Sequence, residues 1–275
     1  MKKKVLFILL FIMILLCTAC NGNVTRDIRH AGFSVSTEFK CDVVYPKSKN
    51  DTGYKKIKYF TSTNMIDSTG AIYEVSLSQV YENKMNCKKA NTDILVKAIY
   101  DNKIIKATDN KYYYLSSENN ANKYSVVPET DNSYELYNLL LKNDDVVKVV
   151  TADSSSGYYY ILRDDGNIYS YKVSKDNYNS PLKITSISIV YDKSDYGSKI
   201  IDFNYAGQTA STYIRTEDKV YRMKVSNYDR CSKYADVACE YSFDEETVFE
   251  KYKDRIIIFN GSTLITDYKQ VFTAN

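Results

Sequence analysis

The sequence has no tryptophan, one histidine, three prolines and nine glycines among 275 residues. The histidine, His30, stands close to the N-terminus, so a Ser-His-Asp or Cys-His catalytic arrangement has no imidazole to use in the body of the chain. No C-x-x-C pair occurs after Cys20. With one histidine and no closely spaced cysteine ligands, a zinc centre is not expected. Neither GxxxxGK[ST] nor GxGxxG is present, so no loop is built to cradle phosphate. No cofactor and no metal are expected. Lysine, asparagine and isoleucine are abundant where tryptophan and proline are not, which points to a genome rich in A and T. That bias, with the strand preference of aromatic residues, accounts for much of the excess of 28 tyrosines.

The N-terminus carries an address. Lys2, Lys3 and Lys4 precede a wholly apolar run, VLFILLFIMILL (5–16), and small Thr18 and Ala19 precede Cys20. That order is a secretory signal. The apolar stretch from Val5 to Ala19 is short for a spanning helix, which takes about 20 apolar residues. The ending LCTAC (16–20) resembles the lipobox of bacterial lipoproteins, with Cys17 where that family usually has an aliphatic residue and Leu16 one place further out. The resemblance implies a diacylglyceryl group on Cys20, cleavage after Ala19 and a signal peptide over 1–19. The alternative is an uncleaved apolar anchor. Either way the body is expected at the cell membrane, on its extracytoplasmic face, and two acyl chains hold a protein there firmly.

Removing residues 1–19 takes away three lysines and no acid, leaving 34 basic side chains against 34 acidic ones. The charges are mixed along the chain, so neither nucleic acid nor an anionic surface is an expected partner. Beyond Cys20, four cysteines remain. Outside the cytoplasm an even number points to disulfides, with three possible connectivities. Cys231 and Cys239 share one short segment and are expected to pair, which leaves Cys41 with Cys87 by elimination.

A phrase recurs along the chain. Aligned on an aromatic residue, its copies are DSTGAIYEVSL (67–77), TDNKYYYLSS (108–117), DDGNIYSYKV (164–173), TEDKVYRMKV (216–225) and TDYKQVFTAN (266–275), centred on Tyr73, Tyr113, Tyr169, Tyr221 and Phe272. Each is preceded by two β-rich runs: KKIKYF and TNMI, ILVKAIY and KIIKA, VVKVVTA and YYYILR, KIIDFNY and STYIR, RIIIFN and STLI. The residues after each copy vary more but also read as strand, most clearly LKITSISIVY (182–191). Each unit is therefore strand, loop, strand, tight turn, strand, loop, strand, with turn residues of the Asp-Gly kind that two-residue hairpins need. Four-stranded units of about 40–50 residues are the signature of β-propeller blades.

The expected fold is all-β: one β-propeller domain over 33–275, with five four-stranded blades and a lipidated tether over 20–32. The fifth unit has only three strands of its own. The alternating segment FSVSTEFKCDVVY (33–45) is expected to supply its outer strand and close the ring. The hairpin phrase loosely resembles the repeats of regulator-of-chromosome-condensation propellers, although only Gly70 and Gly166 keep the glycine and the Trp-Gly of that family is absent. The resemblance implies architecture and no function. A tandem pair of β-sandwiches is the alternative; it accounts for the strands but not for the even spacing. Segment SYELYNLLLKN (133–143) reads equally as an inserted helix or as a fourth strand.

Each hairpin carries an acid, and on a propeller these would share one face. Asp67, Asp109, Asp165, Asp218 and Asp267 are thus candidates for a ligand-binding rim, suited to a cation or a polyhydroxyl compound. The competing explanation is that aspartate is favoured in such turns because it hydrogen-bonds the backbone. A glycosidase needs two carboxylates across the axis, and the innermost strands offer only Asp153 and Asp202. DKSDYG (192–197) lacks the ligand pattern of a calcium loop and reads as a turn. Tyr158, Tyr159 and Tyr160 alternate across a strand, so at least one ring belongs to a core. The functional expectation is a lipid-anchored binding or scaffolding protein of the envelope, with an unidentified envelope protein or glycan as partner and no catalytic residues. The alternative is a carbohydrate-active enzyme on the same fold.

Overall fold

A computed structural model describes residues 26, 33–40, 57–60, 63–78, 84–115, 123–204, 212–216, 219–231, 237–247, 256–259, 263–266 and 270–274. The strands are β1 (Phe33–Lys40), β2 (Ile57–Phe60), β3 (Asn64–Asp67), β4 (Ile72–Ser78), β5 (Lys84–Lys89), β6 (Val96–Tyr100), β7 (Ile104–Ala107), β8 (Tyr112–Tyr114), β9 (Val146–Asp153) and β10 (Tyr158–Arg163). They continue with β11 (Ile168–Ser174), β12 (Lys183–Tyr191), β13 (Ile200–Asn204), β14 (Thr212–Thr216), β15 (Val220–Val225), β16 (Tyr241–Glu245), β17 (Ile256–Phe259), β18 (Thr263–Thr266) and β19 (Gln270–Ala274). Three short helices are described in full: α1 (Tyr134–Leu141), α2 (Lys193–Tyr196) and α3 (Tyr228–Cys231). The protein is mostly β, and the described residues form sheets of eight, seven and four strands, none of them closed on itself.

The strands fall where the β-branched and aromatic runs predict them, and they pair in sequence order. β2–β5, β9–β12 and β13–β16 are antiparallel meanders of four strands. β17–β19 gain their fourth strand from the far end of the chain: β1 lies antiparallel to β19, with Phe33 opposite Ala274 and Glu38 opposite Gln270. Residues 41–45, expected to extend that strand, lie outside the described residues. Parallel pairings join units side by side, β1 to β5 and β6 to β9.

The second unit departs from the pattern. After β6–β8, a short segment takes the fourth-strand position: the Tyr114 N–H donates to Ser125 O at 3.0 Å and the Val127 N–H to Tyr112 O at 2.8 Å. α1 then resolves the ambiguity of 133–143 in favour of helix. Leu140 and Leu141 are buried, and Tyr134, Leu136, Tyr137 and Leu139 lie against the same cluster. With this ring of apolar contacts a helix of eight residues, marginal alone, is held by packing.

Cores form between sequence-adjacent units. Tyr59, Ile66, Ile72, Val96, Ile99 and Ile105 pack the first unit on the second. Tyr100, Ile104, Val149, Tyr159, Ile161 and Tyr171 pack the second on the third, with α1. Val150, Tyr160, Leu162, Phe203, Ile214 and Tyr221 pack the third on the fourth. β10 therefore serves two cores, Tyr159 on one face and Tyr160 on the other, which is why YYYIL is buried throughout. Each such side chain contributes about 1.5–3 kcal/mol on burial.

Candidate functional site

The three described copies of the recurring hairpin share one construction. Asp165 accepts from the Asn167 N–H at 2.8 Å and from the Tyr169 hydroxyl at 3.0 Å. Asp109 accepts from the Lys111 N–H at 3.0 Å and from the Tyr113 hydroxyl at 2.6 Å. Asp67, buried with 0% exposure, accepts from the Thr69 and Ala71 N–H groups at 2.8 and 3.1 Å and from the Tyr73 hydroxyl at 3.2 Å. The aromatic on which the repeats align is thus a latch: its phenol closes onto the acid that shapes the turn. The Tyr113 hydrogen bond holds the Asp109 carboxyl below the usual carboxylate range, and the same bond raises the Tyr113 phenol. These carboxylates organise their own turns, as aspartate does in tight turns generally. Asp218 and Asp267 lie outside the described residues.

The residue three before each aromatic is left-handed: Gly70 at φ 88°, Asn110 at φ 64° and Gly166 at φ 84°. The two glycines also touch the next unit along the chain. Gly70 O accepts from the Val96 N–H at 2.8 Å, and Gly166 O from the Ile200 N–H at 3.0 Å. A Cβ on Gly70 would meet Val96 O at 2.6 Å. Close approach plus positive φ explains why glycine persists at these two turns while asparagine, which tolerates αL, suffices at the other.

The first strands of four units converge on a polar node. The Lys58 ammonium on β2 reaches Lys97 O on β6 at 3.4 Å. The Tyr59 hydroxyl on β2 donates to Val147 O on β9 at 2.7 Å. Lys148 on β9 pairs with Asp202 on β13 at 3.0 Å, their side chains only 3% and 10% exposed, and the ammonium lies 5.7 Å from the Phe203 ring centre. Burial raises the Asp202 carboxyl above its ordinary value although Lys148 opposes the shift. Burial, then the Asp202 charge, pushes the Tyr59 phenol well up. The other inner-strand acid, Asp153, accepts from the Ser155 N–H at 2.9 Å and the Ser155 hydroxyl at 2.7 Å. Both acids considered for two-carboxylate chemistry are thus engaged, Asp202 with a cation and Asp153 with a turn.

Lys148 was not singled out by the sequence, yet a signal was there: one lysine amid VVKVVTA requires either an exposed face or a buried partner. Of the remaining expectations, Cys231 and Cys239 form a disulfide, with their Cα atoms 5.0 Å apart. Cys87 is also disulfide-bonded; Cys41, its expected partner, lies outside the described residues, as do Cys20 and His30. DKSDYG forms the single turn α2, where Asp192 accepts from the Ser194 N–H at 2.9 Å and Gly197 closes the end in αL. Among the described residues no helix is long and apolar enough to cross a membrane, and no group of three or more His, Cys, Asp or Glu could hold a metal ion. No protein-family model matches the chain, and no curated protein matches it significantly.

Proposed function

We propose that the chain is a lipid-anchored, extracytoplasmic binding or scaffolding protein of the bacterial envelope, built as a five-bladed β-propeller whose ring is closed by its N-terminal strand. The observation that carries the functional half is the N-terminal order: three lysines, an apolar run of 12 residues and LCTAC ending at Cys20. The described hairpin acids shape turns, and the inner-strand acids Asp153 and Asp202 hold a turn and an ion pair. In this reading the loops at one end of the ring meet an envelope protein or glycan.

Three features support the architecture. Units of four strands pack face to face in sequence order, as blades do. The first strands of four successive units touch through Lys58, Tyr59, Lys97, Val147, Lys148 and Asp202, as strands lining an axis would. The β1–β19 pairing gives the last unit the strand it lacks.

The experiment is Cys20→Ala in producing cells, with a fatty-acid probe and fractionation as readouts. The expected result is loss of label together with release of the chain or accumulation of an unprocessed precursor. A variant that still takes the label overturns the lipid anchor.

A further inference from the structure

We propose that β12 is a homotypic docking edge, at which two copies of this chain pair antiparallel and join their third units into one continuous sheet. Besides β12, the strands that end a sheet among the described residues are β2, β8, β13, β16 and β17, each of three to five residues. A bare outer strand invites pairing, and proteins normally shorten it, charge it or cover it. Here β5 is covered by β1, and β8 is three residues long. β16 carries Asp244 and Glu245, held by Lys224 and Lys219. β12 has none of these defences. Its nine residues make it the longest strand among the described residues, and it ends its sheet, hydrogen-bonded to β11. From Ile184 to Tyr191 it has no charged side chain. Thr185 to Ile189 are exposed without a break, so both faces of the strand stand in solvent, and Ile187 and Ile189 are each 52% exposed.

The sequence of β12 fits a second copy of itself. Antiparallel pairing about a two-fold axis keeps equivalent residues on the same face, so residues of equal parity oppose each other. Centred on Ser188, the register sets Ile187 opposite Ile189 twice, Ser188 opposite Ser188 and Thr185 opposite Tyr191. Four isoleucines then share one face, where β-branched cross-strand pairs are favourable. Between positions 185 and 191 no charge opposes like charge, and a body whose basic and acidic side chains balance adds no long-range repulsion. The interface does not depend on the lipid on Cys20.

The test is oxidative cross-linking of the full chain in membranes, with Ser188→Cys and Ser186→Cys compared with wild type on non-reducing gels. At the two-fold axis the Cβ atoms of the two 188 positions stand about 4.5–5.5 Å apart, within reach of a disulfide after small adjustment. The two 186 positions are offset by four residues, about 13 Å along the strand. The expected result is a band of twice the chain's mass for Ser188→Cys, at least tenfold stronger than for Ser186→Cys and lost when Ile189→Lys is added. Equal cross-linking at both positions, no dimer band, or a band of another mass from a different protein overturns the proposal. Sedimentation of the detergent-solubilised wild-type chain gives a second readout that needs no cysteine. A dimer that Ile187→Lys converts to monomer is expected, and a wild-type monomer at concentrations up to about 100 μM, a weak limit for a specific dimer, overturns it.

Discussion

Replacing Lys148 with methionine tests the node where the first strands meet. Methionine keeps most of the length and the apolar stem of lysine but removes the cation. At 3.0 Å and an effective dielectric of about 20, the attraction to Asp202 is about 5–6 kcal/mol. Desolvation of two buried ions offsets much of that, so the pair adds little net stability, yet breaking it strands a buried carboxylate at a cost of about 3–5 kcal/mol. Lys148→Met alone should therefore lose about that much, while Lys148→Met/Asp202→Leu should fall within about 1 kcal/mol of the wild type. The pH dependence has a definite sign. Burial already raises the Asp202 carboxyl, and a raised folded value means that the folded state holds the proton more tightly than the unfolded chain. That contribution is complete below the ordinary carboxylate range and is lost as pH rises through the raised value. Without Lys148 the value climbs further, so the deficit of Lys148→Met should shrink on going from about pH 8 to about pH 5. Urea unfolding monitored by tyrosine fluorescence measures each term. A single-mutant loss below about 1 kcal/mol, or additivity of the two substitutions, would refute a buried, mutually dependent pair.

The hairpin acids should rank by burial. Asp67→Ala leaves the buried Ala71 N–H and Tyr73 hydroxyl without this acceptor and should cost about 2–4 kcal/mol, whereas Asp109→Ala, exposed, should cost about 1 kcal/mol or less; thermal melts showing the reverse order would contradict the latch. Gly166→Ala places a Cβ 2.6 Å from that of Lys199 and should destabilise by more than about 1 kcal/mol, while Asn110→Gly should be tolerated. Removing Cys231 and Cys239 together should cost about 2–3 kcal/mol for so short a loop, measured by unfolding without reductant. Non-reducing peptide mapping should join Cys41 to Cys87: β1 and β5 run parallel with Lys40 opposite Asn86, and the two cysteines come next in the chain after those residues. A free thiol at Cys87 would end that pairing.

Much of the strand order was legible because each strand answers to its own residues. KIIKA became β7, YYYILR became β10 and LKITSISIVY became β12, all from β-branched and aromatic content. The N-terminal strand was legible for a different reason, since the last unit lacked one and FSVSTEFK alternates. What the sequence left open depends on distance. Lys148 and Asp202 are 54 residues apart, and no local pattern pairs them. Leu136, Leu139, Leu140 and Leu141 suit a helix face and a buried strand alike, and the packing of α1 on the second and third units decides between them. The repeated acids permitted both a ligand rim and a turn device. The phenol geometry shows Asp67, Asp109 and Asp165 shaping their own turns, a contact that depends on the folded hairpin and is not written in the letters.

The placement of β1 has a mechanical consequence. If the chain is tethered to a membrane through residue 20, every tug from the surface enters the body at residue 33. A strand at the rim of a sheet would unzip there, one hydrogen bond at a time. β1 instead lies between β19 and β5, bonded antiparallel on one side and parallel on the other, so a pull along its axis must shear two rows of bonds together. The first described strand to feel the load is also the one gripped from both flanks, and its force is shared at once with strands from the other end of the chain.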